Sequence, residues 1–600
     1  MSHLTPPSEA DSPGVRGPKA CVTCARAKVK CIFDAEAIIC TRCRRLRKPC
    51  AVQEPGSHRR KTKAPSHVAR IERKLDGVAA ILATSSQVGG SQLRGQGLLF
   101  GSVGPSPLDH VKQVLRSEDE EFFILKAYWT HMAQYFPFVV IPPDMTLEEL
   151  KTKPFLFMTV MTIGCRHHIE RQTSLAKRVR EVIAEKVLLR GEQSLDILQG
   201  LLVYLAWYHI HFPLGSQLGN LVHLIMAQLS DLGLNRSPDP RYHKGLFGTV
   251  GYFRPEFPGP KRTLAERRAY LGGFYISTLV SMTTREIEPI RFSAYAEECC
   301  QLLEEERKYA SDVFLVHLVR IARMSGRITR TLSPDDWSTS STISAPPIGA
   351  YVTALQAELR SIKSSLPPSG TILEDILWLH YFLMEIYLYG VAVHDTNSSA
   401  NYGDFPMTRL KMLFACLGST KAFFEKWYSI PISVYFDCSY FPWSLMGHAS
   451  VVLSKLCLYD GEGWDAAYAS NTIDFCTTMD TMMAKMKEAN AAAERAMLFP
   501  NPGAPSESSS TVPPVFENIN PKMQRWKEIH NYRASQTRQQ QQRKQQSMSA
   551  LSAGGAEAPI ASTAATTTND EFLFPGETSL MDFFDDSFWP QFPTCSINTD

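Results

Sequence analysis

Several features that mark other protein classes are missing from this 600-residue sequence. It has no run of about 18 unbroken apolar residues, so we expect neither a transmembrane helix nor a membrane partner. Its first residues are polar and contain proline, which argues against a secretory signal and favours a chain that stays inside the cell. A Gly-rich phosphate loop, a nucleophile elbow and an HExxH-type metal pair are also lacking. We therefore predict no catalytic residues and no enzyme activity.

Cysteine is scarce, because fourteen in 600 residues are too few and too unevenly placed for a disulfide scaffold. Six of them fall between positions 21 and 50, as two C-x2-C-x6-C halves joined by an eight-residue loop. In a reducing compartment such a cluster is typical of metal ligation. The predicted metal ligands are Cys21, Cys24, Cys31, Cys40, Cys43 and Cys50.

The number of thiolates predicts the number of metal ions. One tetrahedral zinc needs four ligands and two need eight, which six thiolates supply if two of them bridge. The alternative is a single-zinc ribbon, which would leave two cysteines unexplained. The repeated halves favour two zinc ions per chain. So short a segment with almost no apolar core must take its folding energy from the metal.

Charge is distributed as unevenly as cysteine. The whole chain carries a net charge of only +3, yet residues 16–63 contain fourteen Lys or Arg against three acidic residues, a local excess of +11. The rest of the chain is therefore acidic. A basic head of this kind binds polyanions such as double-stranded DNA through counterion release, which indicates a polyanionic partner.

The two motifs ACVTCARAKVKC and CTRCRRLRKPC resemble the DNA-binding unit of fungal two-zinc, six-cysteine (Zn(2)-C6) transcription factors. The resemblance implies that Cys21 and Cys40 are the bridging sulfurs. One zinc would take these two with Cys24 and Cys31, and the other would take them with Cys43 and Cys50. It also implies that the first short helix reads a CGG-like half-site in the major groove.

By the same resemblance, Lys28 matches the base-contacting lysine of the family, and Lys30 matches the basic residue before the third cysteine. The chain departs from the family pattern at Ala25, Ala27 and Ile32, and its loop IFDAEAII lacks the usual proline. Basic residues of the second half compensate by offering phosphate contacts that Ala25 and Ala27 do not make. The predicted DNA-binding residues are Arg26, Lys28, Lys30, Arg42, Arg44, Arg45, Arg47 and Lys48.

A basic linker and a heptad pattern follow. We predict that Arg59, Arg60, Lys61 and Lys63 act both in contacts with the DNA backbone and in nuclear import; the alternative is a solvated linker.

The apolar residues that follow are spaced alternately by three and four positions, which predicts a short coiled coil and a homodimer. The alternative is an amphipathic helix packed on the body. The predicted dimerisation residues are Val68, Ile71, Leu75, Val78 and Leu82.

The long central part is predicted to be all-α, because its apolar periodicity is helical almost throughout. Thr146 with Glu149, and Thr263 with Glu266, have the spacing of capping boxes, and Gly233 suits a helix stop. Phrases such as SLDILQGLLVYLAWYHIHF resemble the family's regulatory region. The paired histidines at 167–168 and 209–211, and the cysteines at 299–300, are interpreted as structural. No residue identifies a small-molecule effector.

The last part of the sequence is biased in composition and has no Lys or Arg after position 544. We predict a disordered Pro/Ser- and Gln-rich linker, followed by an acidic-aromatic segment that binds a coactivator or the general transcription machinery; the alternative is a disordered solubilising end. The predicted activation residues are Phe572, Phe574, Phe583, Phe584, Phe588 and Trp589.

Together these features predict a mainly α-helical nuclear transcription factor of RNA polymerase II genes, most consistent with an activator. The resemblance further implies control of a secondary-metabolite gene cluster. The alternatives are a repressor with the same head, and a metabolite-sensing or enzymatic body with a zinc-stabilised accessory domain. The predicted segments are a leader (1–18), the Zn(2)-C6 domain (19–52), a basic linker (53–67), the coiled coil (68–83), a linker (84–117), the helical regulatory domain (118–490), the disordered linker (491–568) and the activation segment (569–592).

Overall fold

The computed structural model divides into two units, residues 1–102 and 103–600. Both are helical, and no β-strand occurs in the ranges that the structure describes. Those ranges are residues 21, 23–24, 31–32, 39–50, 106–115, 117–165, 168–238, 262–284, 287–332, 348–394, 406–461, 463–497 and 519–553. The predicted leader, basic linker, heptad seam and activation segment lie outside them.

In the first unit, helix α1 covers Thr41–Arg45. Cys40 is its N-cap, and its sulfur accepts a hydrogen bond from the N–H of Cys43. The helix ends before Arg47, which adopts a left-handed backbone with φ of 49°. A predicted metal ligand therefore also starts this helix.

The helices of the second unit carry the labels α2 to α18. The first part contains α2 (Pro107–Val114), α3 (Glu118–Ala127), α4 (Leu147–Lys151), α5 (Pro154–Gly164), α6 (Ile169–Ile183), α7 (Leu195–Ala206), α8 (Leu218–Asp231), α9 (Leu264–Thr284), α10 (Ala294–Glu306) and α11 (Ser311–Leu332). The second part contains α12 (Ile348–Ser365), α13 (Ile372–His394), α14 (Pro406–Ser429), α15 (Tyr440–Leu458), α16 (Ala466–Thr472), α17 (Phe475–Met497) and α18 (Ile519–Ala553). Short 3-10 or π turns cover Tyr128–Met132, Ala133–Tyr135, Ala184–Leu189, Tyr208–Leu214 and Ile432–Val434.

The local start and stop signals read from the sequence are confirmed. The N–H of Thr146 donates to Glu149 Oε2 at 2.7 Å, and the N–H of Glu149 donates back to Thr146 Oγ1 at 3.2 Å. Thr263 and Glu266 form the same pair of bonds at the start of α9. Gly233 ends α8 with a φ of 63°, a left-handed conformation that favours glycine. These signals act within one turn, so tertiary packing does not override them.

One apolar core runs through the second unit. Its largest buried side chains are aromatic, and Trp427 meets Trp443 edge to face with ring centroids 5.1 Å apart. The stretch Ile372–Val393 of α13 is long and apolar enough to cross a membrane by length and composition, with a mean hydropathy of 1.5. It is 67% buried within the protein, and packing against α11, α14 and α15 accounts for its composition.

A buried ion pair joins α9 to α11. Two guanidinium nitrogens of Arg268 contact the two carboxylate oxygens of Asp312 at 2.7 and 2.9 Å, and both side chains are almost inaccessible. The Arg268 guanidinium also lies 4.9 Å from the ring centre of Tyr309. The N–H of Tyr309 donates to Asp312 at 3.0 Å. This network satisfies a carboxylate that would otherwise be buried without partners.

The helical unit extends beyond the predicted boundaries of 118 and 490. It begins at α2, inside the stretch predicted as a linker, and α17 continues to Met497. The prediction of a disordered segment over 491–568 is wrong for residues 519–553, which form α18. Ile519 and Met523 of this helix are fully buried, and Trp526 packs on Phe475 of α17 with ring centroids 5.3 Å apart. Spaced apolar residues therefore decide the structure here, although the surrounding composition is rich in glutamine.

Candidate metal centre and nucleic-acid interface

Four cysteine sulfurs converge in the first unit: Cys21, Cys24, Cys40 and Cys43 are buried, and their Sγ atoms all lie within 4.8 Å of one another. We call them the four-cysteine group. Within the described ranges, it is the one cluster of three or more cysteine, histidine or acidic side chains placed to hold a metal ion.

The sulfur separations fit zinc. The distance from Cys21 Sγ is 3.8 Å to Cys40 Sγ and 3.7 Å to Cys43 Sγ, and Cys24 Sγ lies 3.7 Å from Cys40 Sγ. A tetrahedral zinc with Zn–S bonds of about 2.3 Å has sulfur–sulfur edges of about 3.8 Å. The three contacts are therefore as long as the edges of a ZnS4 tetrahedron. Four buried thiols without a metal would have no comparable reason to converge.

The repeat seen in the sequence is also a repeat of hydrogen bonds. The N–H of Cys24 donates to Cys21 Sγ, and the N–H of Cys43 donates to Cys40 Sγ, both at 3.4 Å. In each half, one turn of backbone thus presents two sulfurs and solvates the first of them with a peptide N–H. These are the N–H···S bonds that a metal thiolate accepts.

The third cysteine of each half also repeats its environment. The N–H of Cys21 donates to Cys31 Sγ and the N–H of Cys40 donates to Cys50 Sγ, both at 3.4 Å. Cys31 and Cys50 are half-buried and pack against the four-cysteine group. All six predicted ligands therefore belong to one sulfur cluster.

Backbone donors, burial and neighbouring sulfurs together set the order in which the thiols ionise. The N–H of Cys24 lowers the pKa of Cys21 to about 6, and the N–H of Cys43 likewise lowers the pKa of Cys40. Burial raises the pKa of Cys43. At Cys31 the bond from Cys21 N–H acts to lower the pKa, but burial and the neighbouring sulfurs outweigh it and raise the pKa to about 12. The first cysteine of each half is thus the one most readily present as a thiolate, the form that binds metal.

Two contacts cross between the halves, and both come from the residue before the second cysteine of a half. Thr23 Oγ1 donates to the carbonyl oxygen of Pro49 at 2.7 Å. Arg42 directs a guanidinium nitrogen towards Cys24 Sγ at 4.0 Å. Arg42 was predicted as a DNA contact, and its position also brings a positive charge to the thiolates. The role of Thr23 was missed, because threonine has no special meaning in the cysteine spacing.

The basic residues of the second half lie on the surface. Arg44, Arg45, Arg47 and Lys48 are exposed around the end of α1. They present a concentrated positive charge beside the sulfur cluster, as binding to DNA phosphates requires. The other predicted contacts lie outside the described residues: Arg26, Lys28 and Lys30, together with Arg59, Arg60, Lys61 and Lys63.

Four of the candidate side chains, His209, His211, Cys299 and Cys300, lie in the core of the second unit, whereas His168 is half-buried and His167 lies outside the described residues. His209 and His211 are about 1% exposed, and the His211 ring stacks on Tyr204 with centroids 4.0 Å apart. Burial lowers the pKa of His209 to about 3. Cys299 and Cys300 are fully buried, and burial raises the pKa of both thiols. These side chains have the environment of core residues and not that of nucleophiles.

Comparison with protein families identifies the second unit. A family model described as the WAR1 C-terminal domain, a domain of fungal transcription factors, matches residues 103–420, more than half of the chain. The chain belongs to this family. A second family model, described as a C-terminal domain, matches residues 432–573 and includes all of α15 to α18. The WAR1-type match covers the unit from α2 into α14, so this family assignment rests on the helical body and not on the cysteine motif.

Curated relatives of this WAR1-type chain are named as transcription factors of filamentous fungi. The transcription factor opdL of Penicillium oxalicum is 29% identical over 78% of this chain and 83% of its own length. The transcription factor himD of Aspergillus japonicus is 28% identical over 73% of both chains. A transcription factor of Aspergillus terreus is 25% identical over 60% of this chain. No solved structure matches. The chain is thus a transcription regulator of the fungal type.

Proposed function

We propose that this protein is a zinc-dependent, sequence-specific DNA-binding transcription factor whose head holds two zinc ions. The observation that carries the proposal is the sulfur cluster, in which each close contact joins two sulfurs that share a zinc in the two-zinc arrangement. The pair expected to be shared, Cys21 and Cys40, consists of the two thiols whose pKa falls below its ordinary value, with a backbone N–H as the largest cause. Zinc would neutralise the thiolates and hold the two halves together.

Metal content separates this proposal from a single-zinc site. The full-length protein purified with zinc should contain two zinc ions per chain by elemental analysis. Cys31→Ser should lower this content, since it removes a ligand of one ion. The control Cys476→Ser alters a half-buried cysteine of the second unit and should leave the content unchanged. One zinc per chain with no effect of Cys31→Ser would instead assign a single ion to the four-cysteine group.

The DNA-binding role is tested by selecting bound sequences from random DNA with the zinc-loaded full-length protein. We expect CGG-like half-sites, lost on chelation. Lys28→Ala should flatten the base preference, because lysine can pair with guanine O6 and N7. Arg45→Ala should weaken binding to all sequences and reduce its salt dependence, because its expected contact is a phosphate. An unchanged selection profile for Lys28→Ala would remove that lysine from base recognition.

We further propose that the protein acts in the nucleus on RNA polymerase II genes, as an activator and as a homodimer. The basic linker supports nuclear import, and the heptad seam supports pairing of two half-sites. Leu75→Asp should weaken binding to paired half-sites and leave single half-sites unaffected. Equal loss on both kinds of site would count against the dimer.

Activation is assigned to residues 569–592, in which aromatic and acidic side chains alternate. Fused to a neutral DNA-binding domain, this segment should raise transcription of a reporter gene, and replacing Phe583 and Phe584 by alanine should abolish the increase. A silent fusion would favour a repressor. Control of a secondary-metabolite gene cluster is the biological role that the fungal resemblance supports, and transcript profiling of a deletion strain tests it.

A further inference from the structure

A groove of about 530 Å³ lies within the second unit between the end of α15, the following loop, α16 and α18. Its volume falls in the range of about 300–1,000 Å³ typical of small-molecule sites. Among the described residues, only these elements line it. The groove exists because α18 packs beside α15 and α16, so the sequence prediction of a disordered segment could not reveal it.

The apolar wall of the groove is held by its own contacts. Trp464 is 9% exposed, and its indole N–H donates to the carbonyl oxygen of Leu456 at 3.0 Å. The ring of Tyr459 carries the guanidinium of Arg409 5.3 Å from its centre. A Cβ atom at Gly461 would lie 2.3 Å from the Tyr459 ring, so this loop needs glycine to let the ring lie across it. The wall is therefore formed before any ligand arrives.

Charged groups of both signs line the same groove. Arg538 of α18 lies on one wall, and Asp460 and Asp465 belong to the loop on another. Asp465 accepts the N–H of Ala467 at 2.9 Å with one of its oxygens. Among the described residues, Arg538 and Asp460 have no hydrogen-bond or ion-pair partner, although they face one cavity. Two opposite charges that do not pair with each other leave room for a ligand between them.

This charge pattern selects the class of ligand. A dianion would meet two carboxylates, and a simple cation would leave the guanidinium without a partner. A purely apolar ligand would desolvate all three charges without compensation. A zwitterion satisfies both signs, because a guanidinium binds a carboxylate with paired hydrogen bonds and an aspartate accepts from an ammonium group.

We propose that this groove binds a small zwitterion of the α-amino-acid class with an apolar side chain. Its carboxylate lies against Arg538, its ammonium group faces Asp460, and its side chain packs on Trp464. The site couples an effector to the contact between α18 and the rest of the unit, because Ala534, Thr537 and Arg538 are contributed by α18 alone. This assignment is independent of how the head binds metal or DNA.

The test uses full-length zinc-loaded protein, with thermal unfolding and titration calorimetry. The zwitterionic probes are L-phenylalanine, L-leucine and L-tryptophan. The analogues 3-phenylpropionate and 2-phenylethylamine each lack one charge of L-phenylalanine. We expect at least one amino acid to raise Tm at millimolar concentration, and we expect the analogues of L-phenylalanine to bind at least tenfold more weakly than L-phenylalanine itself.

Variants locate the site. Arg538→Gln and Asp460→Asn should each weaken amino-acid binding at least tenfold without lowering the Tm of the free protein, because both side chains lie at the protein surface. Arg543→Gln is the matched control, since Arg543 is exposed on the same helix but does not line the groove. The proposal is overturned if no probe binds, if either analogue binds as well as L-phenylalanine, or if Arg543→Gln weakens binding as much as Arg538→Gln.

Discussion

We expect single residues around the sulfur cluster to decide how firmly it would hold metal. Thr23 and Arg42 each reach from one half to the other, so the two halves are joined by these side chains as well as by the contacts between sulfurs. A guanidinium close to a thiolate lowers the cost of gathering negative charge in one place. Arg42 is therefore expected to act on metal retention before it acts on DNA.

Replacing Arg42 by methionine keeps an unbranched, largely apolar stem and removes the charge and the donors of the guanidinium. We expect Arg42→Met to lose zinc to a colour-forming chelator about tenfold more readily, within the range of about 10–100-fold measured for such outer contacts. Arg45→Met is the control, because Arg45 is exposed and has no contact with the sulfurs. Equal zinc release from the two variants would contradict the role of Arg42.

The Arg268–Asp312 pair gives a second prediction at this scale. Asp312→Asn should lower the free energy of unfolding by roughly 3–5 kcal/mol, because it leaves a buried guanidinium without its counter-charge. Lys421→Met is the control, since Lys421 and Glu425 form an exposed pair at 4.0 Å and such pairs contribute about 0–1 kcal/mol. Urea denaturation measures the free energy of unfolding of both variants. If both lose a similarly small amount, the Arg268–Asp312 pair is accessible to water in solution.

At the scale of elements, α18 packs on α17 and covers part of its surface. Met523 is fully buried, whereas Tyr532 of the same helix is 59% exposed. We expect Met523→Ala to cost about 2–5 kcal/mol, the usual range for emptying a packed site. Tyr532→Ala should change stability by less than about 0.5 kcal/mol. If the two variants unfold at the same denaturant concentration, α18 is not docked in solution.

Some helices of this chain can be predicted from local sequence signals, and others depend on partners that are distant in the sequence. The capping residues Thr146 and Thr263 were found because their chemistry is local and their spacing is fixed. Helix α18 was missed because its glutamine-rich composition outweighed the spacing of Ile519, Met523 and Trp526. The partner that makes those residues buried lies on α17, and no local pattern reveals that partner.

The same distinction applies to the candidate site. The cysteine spacing alone was enough to propose all six ligands, because metal coordination restricts residue type and distance together. The contact of Thr23 with Pro49, 26 positions away, has no such signature. The groove lined by Arg538 and Asp460 also could not be predicted from the sequence, because its walls come from α16 and α18, which are distant in the sequence.

At the scale of the whole molecule, buried histidines make the helical unit sensitive to acid. Burial lowers the pKa of His209 to about 3, and the pKa values of His380 and His530 to about 4. In the unfolded chain the pKa is about 6.5. The unfolded state therefore binds more protons, and stability falls as pH drops from about 6.5 towards 4.

This pH dependence can be measured by tryptophan fluorescence, because the first tryptophan is Trp129 and the signal comes from outside the cysteine head. The urea midpoint should be lower at pH 5 than at pH 7.5. His380→Gln removes one of the shifted groups and should narrow the difference between the two midpoints. Tyr275 Oη lies 2.8 Å from His380 Nε2, so the variant also tests whether a side chain that does not titrate can keep this hydrogen bond. An unchanged difference would assign the acid sensitivity to other groups.

The order of α17 and α18 along the chain has a consequence for biosynthesis. The face of α17 around Phe475 stays uncovered until the ribosome has passed residue 553 and the emerging helix can dock. A frameshift or a retained intron that ends translation before α18 would yield a chain in which this apolar face of α17 stays exposed. Chaperones and proteases recognise exposed apolar surfaces, so docking of α18 would distinguish chains that contain this helix from chains that lack it.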